Sequence, residues 1–408
     1  MKKFIIYFQP AFYNIQRNKP YAVFCIGGTA VTFIFVVLIL QLVYIFTGNY
    51  PPISNADKII RLSSFQNAEG KDIGGIWHSE VNAFSTDLKS FDCISLYHDN
   101  HINVEANGRL HFALTGFVNA DFWKVYDFDF LYGRAFTKEE CSNRKPVAII
   151  TESMSQAYFN TKNGTGKKIT FQGNEYEITG VVKNISYFST PTGECTVWVP
   201  YVFDKFIPNG TYTFTIDVLT PPSMSMNESK EHIAKTVQYY YENKNIQVNF
   251  PPQKVKTLKE TMATKEGDLF QYGSMMATVL FLLIPALNML SLGRSHTNNR
   301  TEEIAVRRTF GAGRFSSFLQ IMTENFLLVL AGSVTGLLLA MPVMKVIQQT
   351  IMNGSVMENL CLVEKIDYAV IFAGVLPAMF VFSLLSGGLP AYMISKGNVA
   401  HVLKGGSK

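Results

Sequence analysis

Four long apolar stretches interrupt an otherwise mixed chain. Tyr21–Phe46 runs 26 residues without a charge, Phe270–Leu292 and Tyr368–Ile394 are also uncharged, and Ser317–Val343 carries only Glu324. A helix of about 20 residues crosses the roughly 30 Å hydrocarbon core of a bilayer, so each stretch predicts a membrane span. No small-x-small cleavage site follows the first stretch before Tyr50-Pro51-Pro52, so it reads as an uncleaved anchor and not as a signal peptide. The division expected is 1–20 a cytoplasmic amphipathic segment, 21–47 the first span, 48–268 an outer domain and 269–293 the second span. After it come 294–315 as a cytoplasmic loop, 316–343 as the third span, 344–367 as a short outer loop, 368–394 as the fourth span and 395–408 as a cytoplasmic tail.

Between the first two spans the pattern changes to that of a water-soluble domain. Pro146–Thr151 is a short apolar run that reads as a buried strand, with a helix following from about Glu152 to Phe159. Around Gln172-Gly173-Asn174 two alternating runs face each other across a turn, the pattern of a β-hairpin. Tyr212–Leu219 alternates like a strand, and Glu228–Asn243 places Ile233, Val237 and Tyr240-Tyr241 at helical spacing. The fold class is therefore membrane α-helical, with four transmembrane helices and a large extracytoplasmic α+β domain between the first and second.

Charge orients this arrangement. Lys2, Lys3, Arg17 and Lys19 precede the first span with no acid among them, five arginines face two glutamates over 293–315, and Lys396, Lys404 and Lys408 lie in the tail. The 48–268 region instead carries 22 basic and 25 acidic residues. Basic pieces alternate with acidic ones across the spans, as the positive-inside rule requires for an inner-membrane protein with both termini in the cytoplasm. The chain's +5 net charge thus reports topology and not nucleic-acid binding.

Little in the outer domain suggests chemistry. His98-x-x-His101, with His111 and Cys93 nearby in sequence, has usable metal spacing but reads as surface or core histidines. Asn163–Lys168 resembles a phosphate loop only superficially. The first glycine is missing and Lys168 stands where Ser or Thr is required, so it reads as a turn before a strand. Of the five cysteines, Cys93, Cys141, Cys195 and Cys361 fall on the outer side. A Cys141–Cys195 bridge and free thiols both remain open.

The stretch Asn299–Arg314 stands out between the second and third spans. Arg300, Glu303 and Arg307 share one face of a helix, Glu303 and Arg307 are spaced for an ion pair, and Gly311 suits a left-handed stop. A short charged helix at the membrane surface is expected. A plain topology signal would explain the arginines but not the glutamates or the Gly-Ala-Gly ending. Inside the spans, Asn288 is available for an interhelical hydrogen bond. Glu324 is expected near the cytoplasmic interface, snorkelling or paired with a loop arginine.

Arg300, Glu303-Ile304, Val306-Arg307-Arg308 and Gly311-Ala312 resemble the coupling-loop signature of MacB/FtsX-type ABC transporter permeases. Ala11, Asn14, Arg17, Asn18 and Lys19 are similar to that family's opening. Asn55–Arg61, Asp121-Phe122-Trp123, Phe128–Arg134, Pro146–Glu152, Gly166-Lys167 and Ile178–Asn184 resemble its periplasmic core domain in order. Leu389-Pro390-Ala391, Asn398 and Ala400–Lys404 resemble its ending, with Val399 departing from the usual proline. The resemblance implies a permease that is not itself an enzyme, holds no cofactor and depends on a cytosolic ABC ATPase subunit to bind ATP. It implies a second permease subunit, identical or homologous, and a periplasmic adaptor or substrate as further partners. Mechanotransmission would drive export or extraction of an antimicrobial peptide, antibiotic or lipoprotein. The alternative is an FtsX-like regulator of a cell-wall hydrolase.

Overall fold

The computed structural model describes residues 2–47, 50–67, 69–77, 81–88, 90–106, 108–171, 173–186, 189, 195–203, 213–262, 265–298, 306, 309–310, 313–352 and 361–396. They form two compact units, one of 1–43, 269–347 and 365–408, the other of 44–268 and 348–364.

Among the described residues, the first unit holds four helices long and apolar enough to cross a membrane. An amphipathic helix, Lys2–Arg17, leads into the first span, Lys19–Thr47. The joint falls where Pro20 has no N–H to offer the preceding turn. The second helix runs Lys265–Asn298 and the third Arg314–Met352, both beyond their uncharged cores. At 1.5 Å per residue the 39-residue third helix is about 58 Å long, well over the hydrocarbon thickness. The fourth opens with a wide π-helical segment, Val370–Val375, before Leu376–Lys396. Pro377 lies just inside the second piece and cannot complete the regular ladder behind it, a recognised cause of such widening.

Small residues set the helix packing. A Cβ on Gly332 would lie 2.5 Å from Thr29 Cβ, and one on Gly336 would lie 2.6 Å from the Ala30 carbonyl oxygen. The Gly332-x-x-x-Gly336 face of the third helix therefore lets the first helix approach backbone to backbone. On the neighbouring face Asn325 Nδ2 donates to the Ser383 carbonyl and to Ser386 Oγ, both at 3.0 Å, beside Gly387 on the fourth helix. Polar groups are thus satisfied between spans, where no water can satisfy them. The second span is different, with only 11% of its most apolar window covered by the rest of the chain.

The second unit is an α+β domain around a sheet of eleven described strands. In chain order they are β1 (Ile59–Leu62), β2 (Ile76–Trp77), β3 (Ile94–Ala106), β4 (Arg109–Val118), β5 (Phe130–Gly133) and β6 (Val147–Thr151). Then follow β7 (Lys168–Phe171), β8 (Asn174–Val182), β9 (Val197–Pro200), β10 (Thr213–Leu219) and β11 (Lys256–Thr257). The spatial order is β11-β1-β10-β3-β4-β9-β6-β8-β5, with β2 on β10 and β7 on β8 and β3. The expected hairpin is β7–β8. Phe171 pairs with Asn174, and Gly173 takes φ +74°, a left-handed value a β-carbon would resist. The helix Met226–Glu242 starts at a reciprocal cap, Ser225 with Glu228, and buries Ile233, Val237, Tyr240 and Tyr241 against the β1/β10 side.

Trp123 and Trp198, 5.9 Å apart between ring centroids, gather Phe128 and Phe136 around them at the centre of one core. Across β1 and β10, Arg61 stands opposite Asp217. Its Nε and Nη2 each donate at 2.9 Å to the fully buried carboxylate, and the Tyr126 hydroxyl donates to the same carboxylate. Burial and the neighbouring Asp217 charge push the Tyr126 hydroxyl well above its ordinary range, so it remains a donor.

The short loop before the fourth helix is stitched onto the domain. Ser186 Oγ donates to the Leu362 carbonyl at 2.6 Å, and Lys183 Nζ lies 2.9 Å from Glu364 Oε1. His98 is buried with its ring stacked on Phe117, a core histidine. Asn163 Oδ1 accepts from the Thr165 N–H and hydroxyl, which makes the false phosphate loop a local turn. No disulfide joins any of the five cysteines.

Glu140 supplies an acid-sensitive joint. Its carboxylate accepts from Arg134 at 2.8 and 2.9 Å, from the Thr137 N–H at 2.9 Å and from Lys145 Nζ at 3.2 Å. The Arg134 hydrogen bonds, with burial opposing and the Thr137 N–H assisting, hold its pKa at about 2 instead of 4.5. A depressed carboxylate stabilises the fold above its unfolded pKa and loses that contribution as pH falls through the folded value. Because Arg134 is 57% exposed, the effect is discounted to about 1–2 kcal/mol. The urea midpoint of the full chain, read by pulse proteolysis, is expected to fall more from pH 5 to pH 2 in the wild type than in Glu140→Gln. Parallel pH profiles would remove this role from Glu140.

Candidate functional site

The loop joining the second and third helices is described at Val306, Thr309, Phe310 and Gly313. Arg300, Glu303, Ile304, Arg307, Arg308, Gly311 and Ala312, the other expected coupling residues, lie outside the described residues. Val306 is helical. The Phe310 N–H donates to the Val306 carbonyl at 3.3 Å and Thr309 Oγ1 to the same carbonyl at 2.6 Å, closing one helical turn. The third helix begins soon after, its Ser317 N–H donating to the Gly313 carbonyl.

This turn shows apolar side chains to its surroundings. Phe310 is 88% exposed, Phe315 71% and Val306 43%. Single exposed apolar residues are ordinary. Here, however, Val306 and Phe310 are four residues apart on one helical face, inside a loop rich in arginine and glutamate. Burying a phenylalanine side chain is worth about 1.5–3 kcal/mol, which a docking partner would recover. Charged residues dominate this stretch of the sequence, and Phe310 does not stand out among them. The available signal was an aromatic residue one helical turn beyond Val306.

The two intramembrane polar residues have different settings. Glu324 is buried and accepts a hydrogen bond from Asn14 Nδ2 of the amphipathic helix at 3.3 Å. Asn14 and Ala11, three residues apart, are both buried on the inner face of that helix. A polar residue on an otherwise covered face needs a partner, and this could have pointed to Asn14. Asn288 is exposed on the second helix and makes no side-chain hydrogen bond among the described residues. Two further polar contacts among the described residues of the bundle are Gln41 Oε1, accepting from the Asp367 N–H at 2.8 Å, and Thr29 Oγ1 against Met289 Sδ at 3.2 Å.

Comparison with known proteins adds two matches along the chain. Residues 22–236 match the MacB-like periplasmic core domain, and residues 275–399 match the FtsX-like permease C-terminal family. Among curated proteins, the macrolide export ATP-binding/permease protein MacB of Aggregatibacter actinomycetemcomitans is 23% identical over 267 residues, covering 62% of this chain and 40% of that protein. The uncharacterized ABC transporter permease YknZ of Bacillus subtilis (strain 168) is 23% identical over 248 residues, covering 59% of this chain and 57% of that one. The chain therefore spans well under two thirds of the length of these relatives. The crystal structure of the periplasmic region of MacB from Actinobacillus actinomycetemcomitans aligns at 14% identity with a TM-score of 0.40, covering 52% of this chain and 94% of that one.

Proposed function

The chain belongs to the MacB/FtsX-type ABC transporter permeases, and from that premise we propose that it couples a separate cytosolic ATPase to movement of its outer domain. In this reading the loop 299–314 docks on the ATPase, with Val306 and Phe310 as the apolar part of the contact and Arg300, Glu303, Arg307 and Arg308 as the charged part. Ile304, Gly311 and Ala312 belong to the same docking segment in this reading. The observation that carries the reading is the exposed Val306–Phe310 turn, which joins two helices that both outrun the bilayer.

The rest follows from stiffness. ATP binding draws two ATPase subunits together, and the loops they hold transmit that displacement to the long helices. Close glycine packing between the first and third helices supports their moving as rods. Two arrangements biased by ATP then yield a mechanical output at the outer domain, used for export or extraction of a substrate. A second permease subunit completes the assembly, and the thinly covered second helix supports its presence. Both termini lie in the cytoplasm of the inner membrane in this arrangement, as the basic residues near the N-terminus and after the fourth helix favour.

The division of labour is tested by purification. Extracted from native membranes in mild detergent, the full chain is expected to bring down an ABC ATPase, and the assembly is expected to hydrolyse ATP. The chain stripped of that subunit is expected to show no hydrolysis. ATP turnover by the isolated chain would overturn the proposal.

A further inference from the structure

The amphipathic helix Lys2–Arg17 has three sides, and only one of them is covered by the chain. On that side Ala11 and Asn14 are buried, and Asn14 Nδ2 donates to Glu324 of the third helix at 3.3 Å. The C-terminal end of the helix leads into the first span across Asn18 alone, whose N–H donates to the Asn14 carbonyl at 3.1 Å. Tied at both places to membrane-spanning helices, it is held at the membrane boundary and does not swing free into water.

Beside the covered side runs an apolar ridge. Phe8 and Phe12, four residues apart and so one above the other, are both exposed, Phe12 by 59%. Next to the ridge lies an exposed polar row of Gln9, Tyr13, Gln16 and Arg17, in which Tyr13 and Arg17 are again four apart. Charge along this segment has one sign. Lys2, Lys3, Arg17 and Lys19 are its charged residues, and no Asp or Glu occurs before Asp57. Arg17 and Lys19 are exposed and form no ion pair among the described residues.

We propose that this helix is a binding site for an anionic phospholipid, its phosphate held by Arg17 and Tyr13 and its acyl chains lying on Phe8 and Phe12. An aromatic ridge flanked by a polar row, on a helix held at the membrane boundary, fits the border between headgroups and acyl chains. A guanidinium offers a phosphate paired N–H donors, and the Tyr13 hydroxyl can donate beside it. Cations with no acid near them in sequence select an anionic headgroup over a zwitterionic one. The same one-signed charge opposes the matching helix of a second copy as the occupant. Lipid binding here requires only that the four helices cross a bilayer, and neither an ATPase nor a second subunit, so the proposal stands apart from the coupling role given to the loop 299–314.

The test adds phosphatidylglycerol or phosphatidylcholine to the full chain in detergent and measures the bound lipid by native mass spectrometry. The wild type is expected to bind phosphatidylglycerol at least about tenfold more tightly than phosphatidylcholine. A basic side chain near an anionic surface is worth about fivefold in affinity, so Arg17→Gln with Lys19→Gln is expected to remove most of that preference. Phe12→Gln is expected to weaken both lipids alike, because it removes apolar contact and no charge. Gln16→Arg adds a cation to the polar row and is expected to tighten phosphatidylglycerol several-fold, a change of sign that a loosened fold would not produce. Lys404→Gln with Lys408→Gln, in the tail, is the control and should leave the preference intact. Equal binding of the two lipids by the wild type would overturn the proposal. So would a preference that survives the Arg17 and Lys19 changes or disappears with the tail changes. If the Arg17 and Lys19 variant fails to fold, Gln16→Arg decides: tighter phosphatidylglycerol upholds the site, and no change refutes it.

Discussion

Asp217→Ala is expected to destabilise the outer domain by about 3–5 kcal/mol, the cost of leaving one member of a buried ion pair without its partner. The geometry supports the upper part of that range. Asp217 is fully buried, takes both 2.9 Å donations from Arg61 and accepts from Tyr126, so its loss strips the guanidinium of its counter-charge and the hydroxyl of its acceptor together. Domains are usually stable by about 5–15 kcal/mol, so such a change removes a large share of the margin. Pulse proteolysis of the full chain in urea should show a midpoint shifted strongly downward. The double variant Arg61→Met with Asp217→Leu should recover most of that shift, because it removes both charges and fills the space with apolar atoms. A double variant no more stable than Asp217→Ala would mean that the pair does more than satisfy itself.

Phe310→Asp is expected to release the ATPase while leaving the chain inserted and folded. Exposed as it is, Phe310 contributes little to the permease's own stability. In the proposed interface it is the large aromatic side chain seated among charges, the type of residue that dominates docking energies. Truncating such an anchor costs about 2–4 kcal/mol, or roughly 30- to 1,000-fold in affinity. Arg307→Glu should act in the same direction through the charged part of the contact. Leu110→Asp is the matched control, since Leu110 is 72% exposed on the outer domain and should leave ATPase association unchanged. Normal co-purification of the ATPase with Phe310→Asp would return the loop to a plain topology signal.

The parts of this molecule that depend on local pattern were legible. Long apolar runs mark the four spans, Gly173 marks the tight hairpin, and the spacing of Ile233, Val237 and Tyr240-Tyr241 marks the helix that buries them. Pairings between distant segments were not legible. Arg61 meets Asp217 across 156 residues and Glu324 meets Asn14 across 310, and neither residue alone specifies its partner. The sheet order places β1 between β10 and β11, a neighbourhood decided by burial of both faces and not by any repeat in the chain. Helix ends were blurred for another reason. Loss of apolar character ends a span but does not end a helix, so the second helix continues through Lys265 and Asn298 where no breaker intervenes. Phe310 escaped notice because the family signature leaves its position open, and only its exposure in the structure draws attention to it.

The aromatic centre of the outer domain also makes the chain its own spectroscopic probe. Its three tryptophans, Trp77, Trp123 and Trp198, all belong to that domain, and the spans contain none. Trp198 is fully buried and lies within 6 Å, ring to ring, of both Trp123 and Phe128. Selectively excited indole emission from intact membranes containing the purified chain therefore comes from the outer domain alone, while the bilayer helices stay dark. A spectral shift on adding an ATPase and nucleotide on the opposite side would register a signal that had crossed the membrane, without a label attached anywhere.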